Sequence, residues 1–148
     1  MVDVEAEKKL VEQVVRGLDE ADLSKDLDRV MSFFAEDIIY QPQGVPPLVG
    51  KASVREYLDG AFDQLEDMVA KPERTEVSVS GDLAYSAGWY KSKRYSWDYY
   101  LEYKYLFVLR KTGEGWKIIV ESVSRNSREG GEYYGLNPKL EGNDDEDS

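Results

Sequence analysis

The chain has 148 residues, a formal net charge of −11, no cysteine and no histidine. This length suits one domain with a real core, and the lack of cysteine excludes disulfides, thiol nucleophiles and cysteine metal sites. The lack of histidine removes the commonest general base and the commonest transition-metal ligand. Any catalysis must therefore rest on carboxylates or on Tyr, Lys, Arg or Ser side chains.

The charge and the hydropathy pattern also bear on partners. A net charge of −11 argues against nucleic acid and anionic membranes, because phosphate binding needs a basic face. The sequence has no apolar run long enough to cross a bilayer and no basic-then-apolar leader, so we expect a cytoplasmic protein with no membrane partner. The last ten residues, KLEGNDDEDS, hold five acids and one base. We expect a folded domain over residues 1–138 and an acidic disordered tail over 139–148.

The first half of the chain is predicted to be mainly helical. An apolar stripe at helical spacing predicts a first helix over about residues 4–21. The same spacing over residues 27–34 predicts a second helix, with Ser24 as its N-cap. A short strand at 38–40 and a crossing rich in proline and glycine follow, and helical spacing returns after Gly50.

The second half reads as sheet. The Lys71-Pro72 pair is expected to close the helical part. Beyond it, alternating apolar and polar residues are separated by glycine-containing turns, which is typical of antiparallel strands. The predicted strands cover about residues 74–80, 83–94, 98–111 and 116–126.

Three segments resemble one family. FAEDIIYQPQGVPPLVGKASVREYL, at 34–58, looks like the signature segment of SnoaL-like domains in the nuclear-transport-factor-2-like and ketosteroid-isomerase-like superfamily. SGDLAYSAGWY and GWKIIVESVSRN are similar to strand motifs of that group, so the resemblance spans about residues 5–126. It implies an α+β, cone-shaped fold in which three N-terminal helices pack on a curved antiparallel sheet that encloses a pocket. The fold hosts isomerases, cyclases, dehydratases, epoxide hydrolases and non-catalytic association domains, so it does not define the function.

Strand alternation, set against this family pattern, predicts which side chains line the pocket. The first strand and the covering helix are expected to contribute Gln41, Tyr57 and Phe62. The three long strands are expected to contribute Ala87, Trp89 and Lys91, then Tyr103, Tyr105, Phe107 and Leu109, and then Glu121, Val123 and Arg125.

The ketosteroid isomerase catalytic triad is missing. That group places a base Asp where this chain has Gln41, a protonated acid where it has Phe107, and a Tyr near Leu18. Gln41 is neutral over the working pH range and cannot abstract a proton as a carboxylate does. The sequence therefore argues against steroid isomerisation by that triad.

Glu121 is the strongest remaining candidate for catalysis. We expect its pKa to be perturbed, because burial would raise it and a close Arg125 would lower it. In the enzymatic interpretation, Glu121 accepts a proton, Tyr105 or Tyr103 hydrogen-bonds the developing oxyanion, and Arg125 assists. In the structural interpretation, Glu121 and Arg125 form an ion pair at the pocket rim. The expected substrate-binding residues are Gln41, Tyr57, Phe62, Trp89, Lys91, Tyr103, Phe107 and Val123.

Two classes of function stay open. The first is a cofactor-free isomerase or cyclase, or a related lyase or hydrolase, that transfers protons on a hydrophobic cyclic substrate. The second is a non-catalytic ligand-binding or association domain. In both cases we expect a hydrophobic small-molecule ligand, no metal, and a homodimer formed through the outer face of the sheet.

Overall fold

The structure is a computed structural model, and it describes residues 3–64, 68–94 and 97–128. Within these ranges it contains three helices and six strands. The helices are α1 (Val4–Leu23), α2 (Leu27–Ser32) and α3 (Lys51–Gln64). The strands are β1 (Phe34–Gln41), β2 (Leu48–Val49), β3 (Met68–Ser80), β4 (Leu83–Arg94), β5 (Leu101–Thr112) and β6 (Gly115–Arg125). The predicted tail over 139–148 and the end of the predicted domain lie outside the described residues.

The six strands form one curved, open sheet in the order β2-β1-β6-β5-β4-β3. Neighbouring strands are antiparallel except β1 and β6, which run parallel. The predicted α+β class and the curved sheet are confirmed, with this one parallel pair as an addition. The described helices include none that is long and apolar enough to span a membrane.

The helix starts are set by aspartates. The Asp3 carboxylate accepts hydrogen bonds from the backbone N–H of Glu5 and Ala6 at 3.1 and 3.2 Å, which caps α1. Asp26 caps α2 in the same way through Arg29 N at 3.2 Å. The prediction that Ser24 caps α2 was wrong, because Ser24 is the C-cap residue of α1.

The predicted end of the helical part was also wrong. Helix α3 ends at Gln64, and β3 already begins at Met68, so Lys71 and Pro72 lie inside a strand. Pro72 faces Tyr90 of β4, and β3 is the edge strand of the sheet. An edge strand tolerates proline because one of its sides needs no ladder hydrogen bonds.

The core lies between α1 and the sheet. Val11, Val15 and Leu18 form the buried stripe of α1, each at most 1% exposed. Leu109 and Ile118 are fully buried in neighbouring strands of the sheet. This packing fixes the C-terminal end of α1 against the sheet, and the same end of α1 borders the candidate site.

Gly17 gives a test of how tightly α1 packs. A Cβ added at Gly17 would lie 2.6 Å from the ring carbon Cζ of Phe33, the C-cap residue of α2. Alanine favours a helix by about 1 kcal/mol over glycine, but overpacking costs about 1–3 kcal/mol. We expect Gly17→Ala to lower the free energy of unfolding in urea by roughly 1 kcal/mol net.

A control in the Phe33→Leu background tests whether the contact with the Phe33 ring causes this loss. In a Phe33→Leu background the side chain at residue 33 is shorter, so Gly17→Ala should stabilise the protein or leave it unchanged. A loss of equal size in both backgrounds would show that the contact with Phe33 does not limit residue 17.

Candidate functional site

A cavity of about 550 Å³ lies between the C-terminal end of α1, helix α3 and the concave face of the sheet. Its volume falls within the range of about 300–1,000 Å³ typical of small-molecule pockets. Most of its wall is aromatic or apolar, as ligand pockets usually are. The aromatic lining residues are Tyr40, Tyr57, Phe62, Tyr90, Tyr103, Tyr105 and Phe107.

The structure places most of the predicted site residues around this cavity. They come from α3, β5 and β6, which the sequence also assigned to the pocket. Their binding and catalytic roles remain predictions. The predicted residues that line the cavity are Tyr57, Phe62, Tyr103, Tyr105, Phe107, Glu121, Val123 and Arg125.

The predicted inward face of β4 was wrong by one residue. Trp89 and Lys91 are not among the lining residues, whereas Tyr90 and Ser92 are. Tyr90 pairs across the sheet with Tyr103 of β5. Residues opposite each other in an antiparallel pair face the same side, so an inward Tyr103 requires an inward Tyr90. On the other face, the Lys91 ammonium lies 5.7 Å from the centre of the Trp89 ring.

The prediction for β1 was also displaced by one residue. Gln41 is exposed and lies outside the lining, while its neighbour Tyr40 lines the cavity. The register between β1 and β6 shifts between Phe34 and Ile39. Simple alternation fails across such an irregularity. Tyr40 lies beside Glu121 in the sheet and packs edge-on against Tyr57, with ring centres 5.9 Å apart.

Glu121 points into the protein, as the sequence predicted. Its side chain is only 8% exposed, and it lines the cavity. Among the described residues, its Oε1 oxygen has no hydrogen-bond partner. Burial raises the pKa of Glu121 well above its usual range, and the charges of Asp22 and Asp19 raise it further. This carboxyl group therefore keeps its proton to a higher pH than an exposed glutamate does.

Asp19 and Asp22 are cavity residues that the sequence interpretation missed. They lie one turn apart near the C-terminal end of α1, and both line the cavity. Asp22 is exposed to solvent through the cavity, although many protein atoms surround its carboxyl group. This crowding by protein raises the pKa of Asp22 to about 7, and the charge of Asp19 adds to the shift. The negative end of the helix dipole and the lack of a basic residue in the last turn act in the same direction.

A signal for Asp22 was present in the sequence. The buried stripe of α1 runs through Val11, Val15 and Leu18, and residue 22 continues that spacing. A carboxylate in an apolar stripe meets either the core or a cavity, and its pKa shifts in both cases.

The tyrosines around these acids remain protonated. Burial raises the pKa of Tyr40 and of Tyr90, and the charges of Glu121 and Asp22 contribute in both cases. The Tyr90 ring stacks on Tyr103 with centres 4.9 Å apart. These phenols are therefore hydrogen-bond donors and apolar walls at neutral pH, and they are not bases.

The C-terminal end of β6, at Arg125, forms the end of the cavity that lies away from Glu121. The Arg125 backbone N–H donates a hydrogen bond to Gln43 Oε1 at 2.9 Å. Residues four apart in a strand have Cα atoms about 13 Å apart, so Glu121 and Arg125 occupy different parts of the cavity. An ion pair with Arg125 would lower the pKa of Glu121, whereas that pKa is raised. The raised pKa argues against the predicted ion pair. Among the described residues, His, Cys, Asp and Glu side chains form no group of three or more that could hold a metal ion.

Comparison with known proteins identifies the family. The profile of the SnoaL-like domain matches residues 11–125, so the chain belongs to the SnoaL-like domain family. No curated protein sequence matches the chain.

Solved structures share the fold. A nuclear-transport-factor-2-like protein of unknown function from Pseudomonas putida is similar, with 18% identity, coverage of 90% of this chain and 98% of that chain, and a TM-score of 0.79. A ketosteroid isomerase-like protein from Erwinia carotovora atroseptica has 23% identity, 82% and 98% coverage, and a TM-score of 0.70. A candidate calcium/calmodulin-dependent protein kinase type II association domain from Thiobacillus denitrificans has 15% identity, 78% and 94% coverage, and a TM-score of 0.73. At these identities the likeness concerns the fold alone.

Proposed function

We propose that this SnoaL-like protein is a cofactor-free enzyme of the isomerase or cyclase type, which transfers protons on a hydrophobic cyclic substrate. The observation that carries the proposal is the Glu121 carboxyl group, buried in the wall of an aromatic cavity with one oxygen unpartnered among the described residues. A buried carboxyl group without a partner costs stability, so its retention suits a chemical role better than a structural one.

In this proposal Asp22 is the base and Glu121 is the acid, because the pKa values of the two carboxyl groups are raised to different extents. The pKa of Asp22 is raised to about 7, so a large fraction of this group is an ionised base at neutral pH. The pKa of Glu121 is raised well above its usual range, which makes it a proton donor. Pairs of titratable groups with separated pKa values commonly mark such assignments. This role for Glu121 is opposite to the proton-accepting role suggested by the sequence alone.

For a cyclic ketone, the proposed step is enolisation. The Asp22 carboxylate takes a proton from the carbon next to the carbonyl, the C–H electron pair forms the new C=C bond, and the carbonyl oxygen takes the proton of Glu121. A neutral enol results, with Asp22 protonated and Glu121 ionised. If the ketone carries a second C=C bond, the enol is extended: Asp22 then returns its proton to another carbon of that enol, the enol O–H returns its proton to Glu121, and the isomerisation is complete with both carboxyl groups restored.

The remaining cavity residues hold the substrate in this proposal. Tyr57, Phe62 and Phe107 supply apolar walls, and the stacked Tyr90 and Tyr103 rings offer a flat surface to a ring system. Tyr105 and Val123 are paired across β5 and β6, and in this wall Tyr105 lies between Tyr103 and Phe107. Gln41, Trp89 and Lys91 have no part in it, since they lie outside the lining.

The test follows carbon-bound hydrogen in a ketone of suitable size. In D₂O at pH 7, 2-tetralone should gain deuterium beside its carbonyl group faster with the protein than with buffer alone, as followed by proton NMR. The double variant Asp22→Asn/Glu121→Gln should abolish the enhancement. Exchange at the buffer rate with the unaltered protein, at concentrations where 2-tetralone binds, would contradict the proposed proton transfer.

A second function, self-association, is favoured by a different part of the sheet. Leu83 and Leu106 are 52% and 42% exposed on the outer face of β4 and β5. One of the similar structures is a candidate association domain. We propose that this face forms a homodimer, which is compatible with catalysis in the cavity on the opposite side.

The dimer has a direct test in sedimentation. At micromolar concentration the protein should sediment at about twice its chain mass of 16.9 kDa. Leu106→Asp should shift it to the monomer, because a buried charge at an interface costs several kcal/mol. Leu10→Asp is a matched control, as Leu10 is 45% exposed on α1. A monomeric particle for the unaltered protein would exclude this association.

A further inference from the structure

The cavity opens to solvent between the end of one helix and one turn. Among the described residues that line it, those that are exposed are Asp22 and Leu23 at the end of α1 and Gln43 and Gly44 between β1 and β2. A ligand that enters through this mouth passes between the two edges. We infer that the turn over residues 42–45 is a gate at the mouth, and that the Gln43 side chain is the latch that holds it closed. The inference rests on ligand binding in the cavity, as the proposed function does, but it does not depend on proton transfer.

The sequence Pro-Gln-Gly-Val forms this turn. The Val45 backbone N–H donates a hydrogen bond to the Pro42 carbonyl oxygen at 3.4 Å, and Gly44, the third residue of the turn, has a φ of 76°. A positive φ at that position is typical of a type II turn and favours glycine. The hydrogen bond is longer than the range of about 2.7–3.2 Å usual for N–H···O bonds, so it holds the turn only weakly.

One hydrogen bond ties the turn to the sheet. Strand β1 pairs with β6 as far as Gln41 and Ser122, and β1 ends there. Beyond that point, the Arg125 backbone N–H donates to the side-chain oxygen of Gln43 at 2.9 Å, so this oxygen takes the place of a β1 carbonyl group. Among the described residues, no other hydrogen bond joins residues 43–47 to a residue outside 42–47.

The chain on both sides of the gate is fixed in the sheet. Tyr40 pairs with Leu48 just outside it, and the Gly50 backbone N–H donates to the Ile38 carbonyl oxygen at 2.8 Å. Motion is therefore confined to residues 42–47, and three of these six are prolines, whose fixed φ limits the chain to few conformations. Opening of the gate breaks the Gln43 hydrogen bond and leaves the core packing in place.

Amide hydrogen exchange followed by NMR tests the gate without a ligand. The Arg125 N–H is bonded to the latch, whereas the next one, of Asn126, donates to the Glu102 carbonyl oxygen of β5 at 2.7 Å. A gate that opens alone exposes the first amide and leaves the second protected. After correction for intrinsic rates, Arg125 should therefore exchange about tenfold or more faster than Asn126. Equal protection of the two amides would overturn the inference, because the turn would then move only when the end of β6 unfolds.

Stopped-flow binding of 2-naphthol, a fluorescent bicyclic ring, tests the effect of the latch on ligand entry. Gln43→Leu should raise both the association and the dissociation rate about fivefold, the usual worth of one hydrogen bond, and leave Kd within about twofold. Gln41→Leu is the matched control, because Gln41 is exposed on β1 outside the lining. A rise in the dissociation rate alone would show that Gln43 binds the ligand instead, and unchanged rates would show that the turn does not limit entry. Either result would overturn the inference, and if 2-naphthol does not bind, the exchange measurement still decides.

Gly44 offers a second pair of variants that keep the latch. Apart from its two chain neighbours, no heavy atom lies within 4 Å of a Cβ added at Gly44, so Gly44→Ala acts through the backbone conformation alone. Alanine is strained at a φ of 76°, whereas asparagine tolerates the left-handed region. Gly44→Ala should therefore raise both rates as Gln43→Leu does, and Gly44→Asn should stay close to the unaltered protein. Equal rates in the two Gly44 variants would contradict the gate.

The outcome separates from that of the proposed catalysis. Faster exchange at Arg125 than at Asn126 without deuterium incorporation into 2-tetralone would support the gate and contradict proton transfer. Deuterium incorporation with equal protection of the two amides would support proton transfer and overturn the gate.

Discussion

The Glu121→Gln variant is expected to incorporate deuterium into 2-tetralone about 10²-fold or more slowly than the unaltered protein, the usual worth of a positioned acid or base. The amide keeps the shape of the side chain and can still donate a hydrogen bond, but it has no proton to transfer. Affinity for 2-tetralone should therefore change little. Glu36→Gln is the control for loss of a carboxyl group, because Glu36 is exposed on β1.

The stability of the same variant separates the chemical and structural roles. The pKa of Glu121 is raised in the folded protein. The contribution of protonated Glu121 to the free energy of unfolding is fully present below the ordinary glutamate pKa. It is lost as the pH rises through the pKa of Glu121 in the folded protein. Glutamine does not titrate, so Glu121→Gln should melt at or above the temperature of the unaltered protein, with the largest gain at alkaline pH. A lower melting temperature at pH 7 would favour the ion pair with Arg125 instead.

The Asp22→Asn variant should also lose about 10²-fold or more of the exchange rate, because it removes the proposed base. With a pKa raised to about 7, the base is increasingly ionised as the pH rises through neutrality. The rate of the unaltered protein should rise over that range and fall again where Glu121 loses its proton. A rate that does not depend on pH between 5 and 8 would exclude Asp22 as the base.

The effect of Asp22→Asn on stability has a defined sign. The folded pKa is raised from 3.8 to about 7, so the stability linked to Asp22 is present below pH 3.8 and is lost as the pH rises through about 7. Asparagine does not titrate, so the Asp22→Asn variant does not lose this stability as the pH rises. Thermal melts should show the variant more stable than the unaltered protein at pH 8 and nearly equal to it near pH 4.

Much of the fold could be predicted because it follows from periodic patterns. The apolar stripe of α1 and the alternation along β5 and β6 repeat over many residues, and their inward faces are found as predicted. The family motifs supplied the topology that periodicity alone does not define. Strand β4 could not be placed on the correct face, because its register against β5 is set by the pairing of Tyr90 with Tyr103.

The errors in the candidate site have local physical causes. In β1, Glu36 and Asp37 are both exposed, so alternation breaks and Tyr40 takes the inward position expected for Gln41. Asp22 was overlooked because an aspartate near a helix end is usually solvated, and only the spacing from Leu18 indicates that it lies on the cavity side of α1. Burial sets the upward direction of the Glu121 pKa shift, and the charges of Asp22 and Asp19, which lie about a hundred residues earlier in the chain, add to it.

The titration of Glu121 is the most direct test of its proposed role as the acid. Glutamate labelled with ¹³C at Cδ can be titrated by NMR, and the Glu121→Gln variant assigns the signal by its disappearance. We expect the Glu121 signal to titrate well above the ordinary glutamate value of 4.5, and at lower pH in Asp19→Asn/Asp22→Asn than in the unaltered protein. A Glu121 signal that titrates near 4.5 would contradict the proposed role.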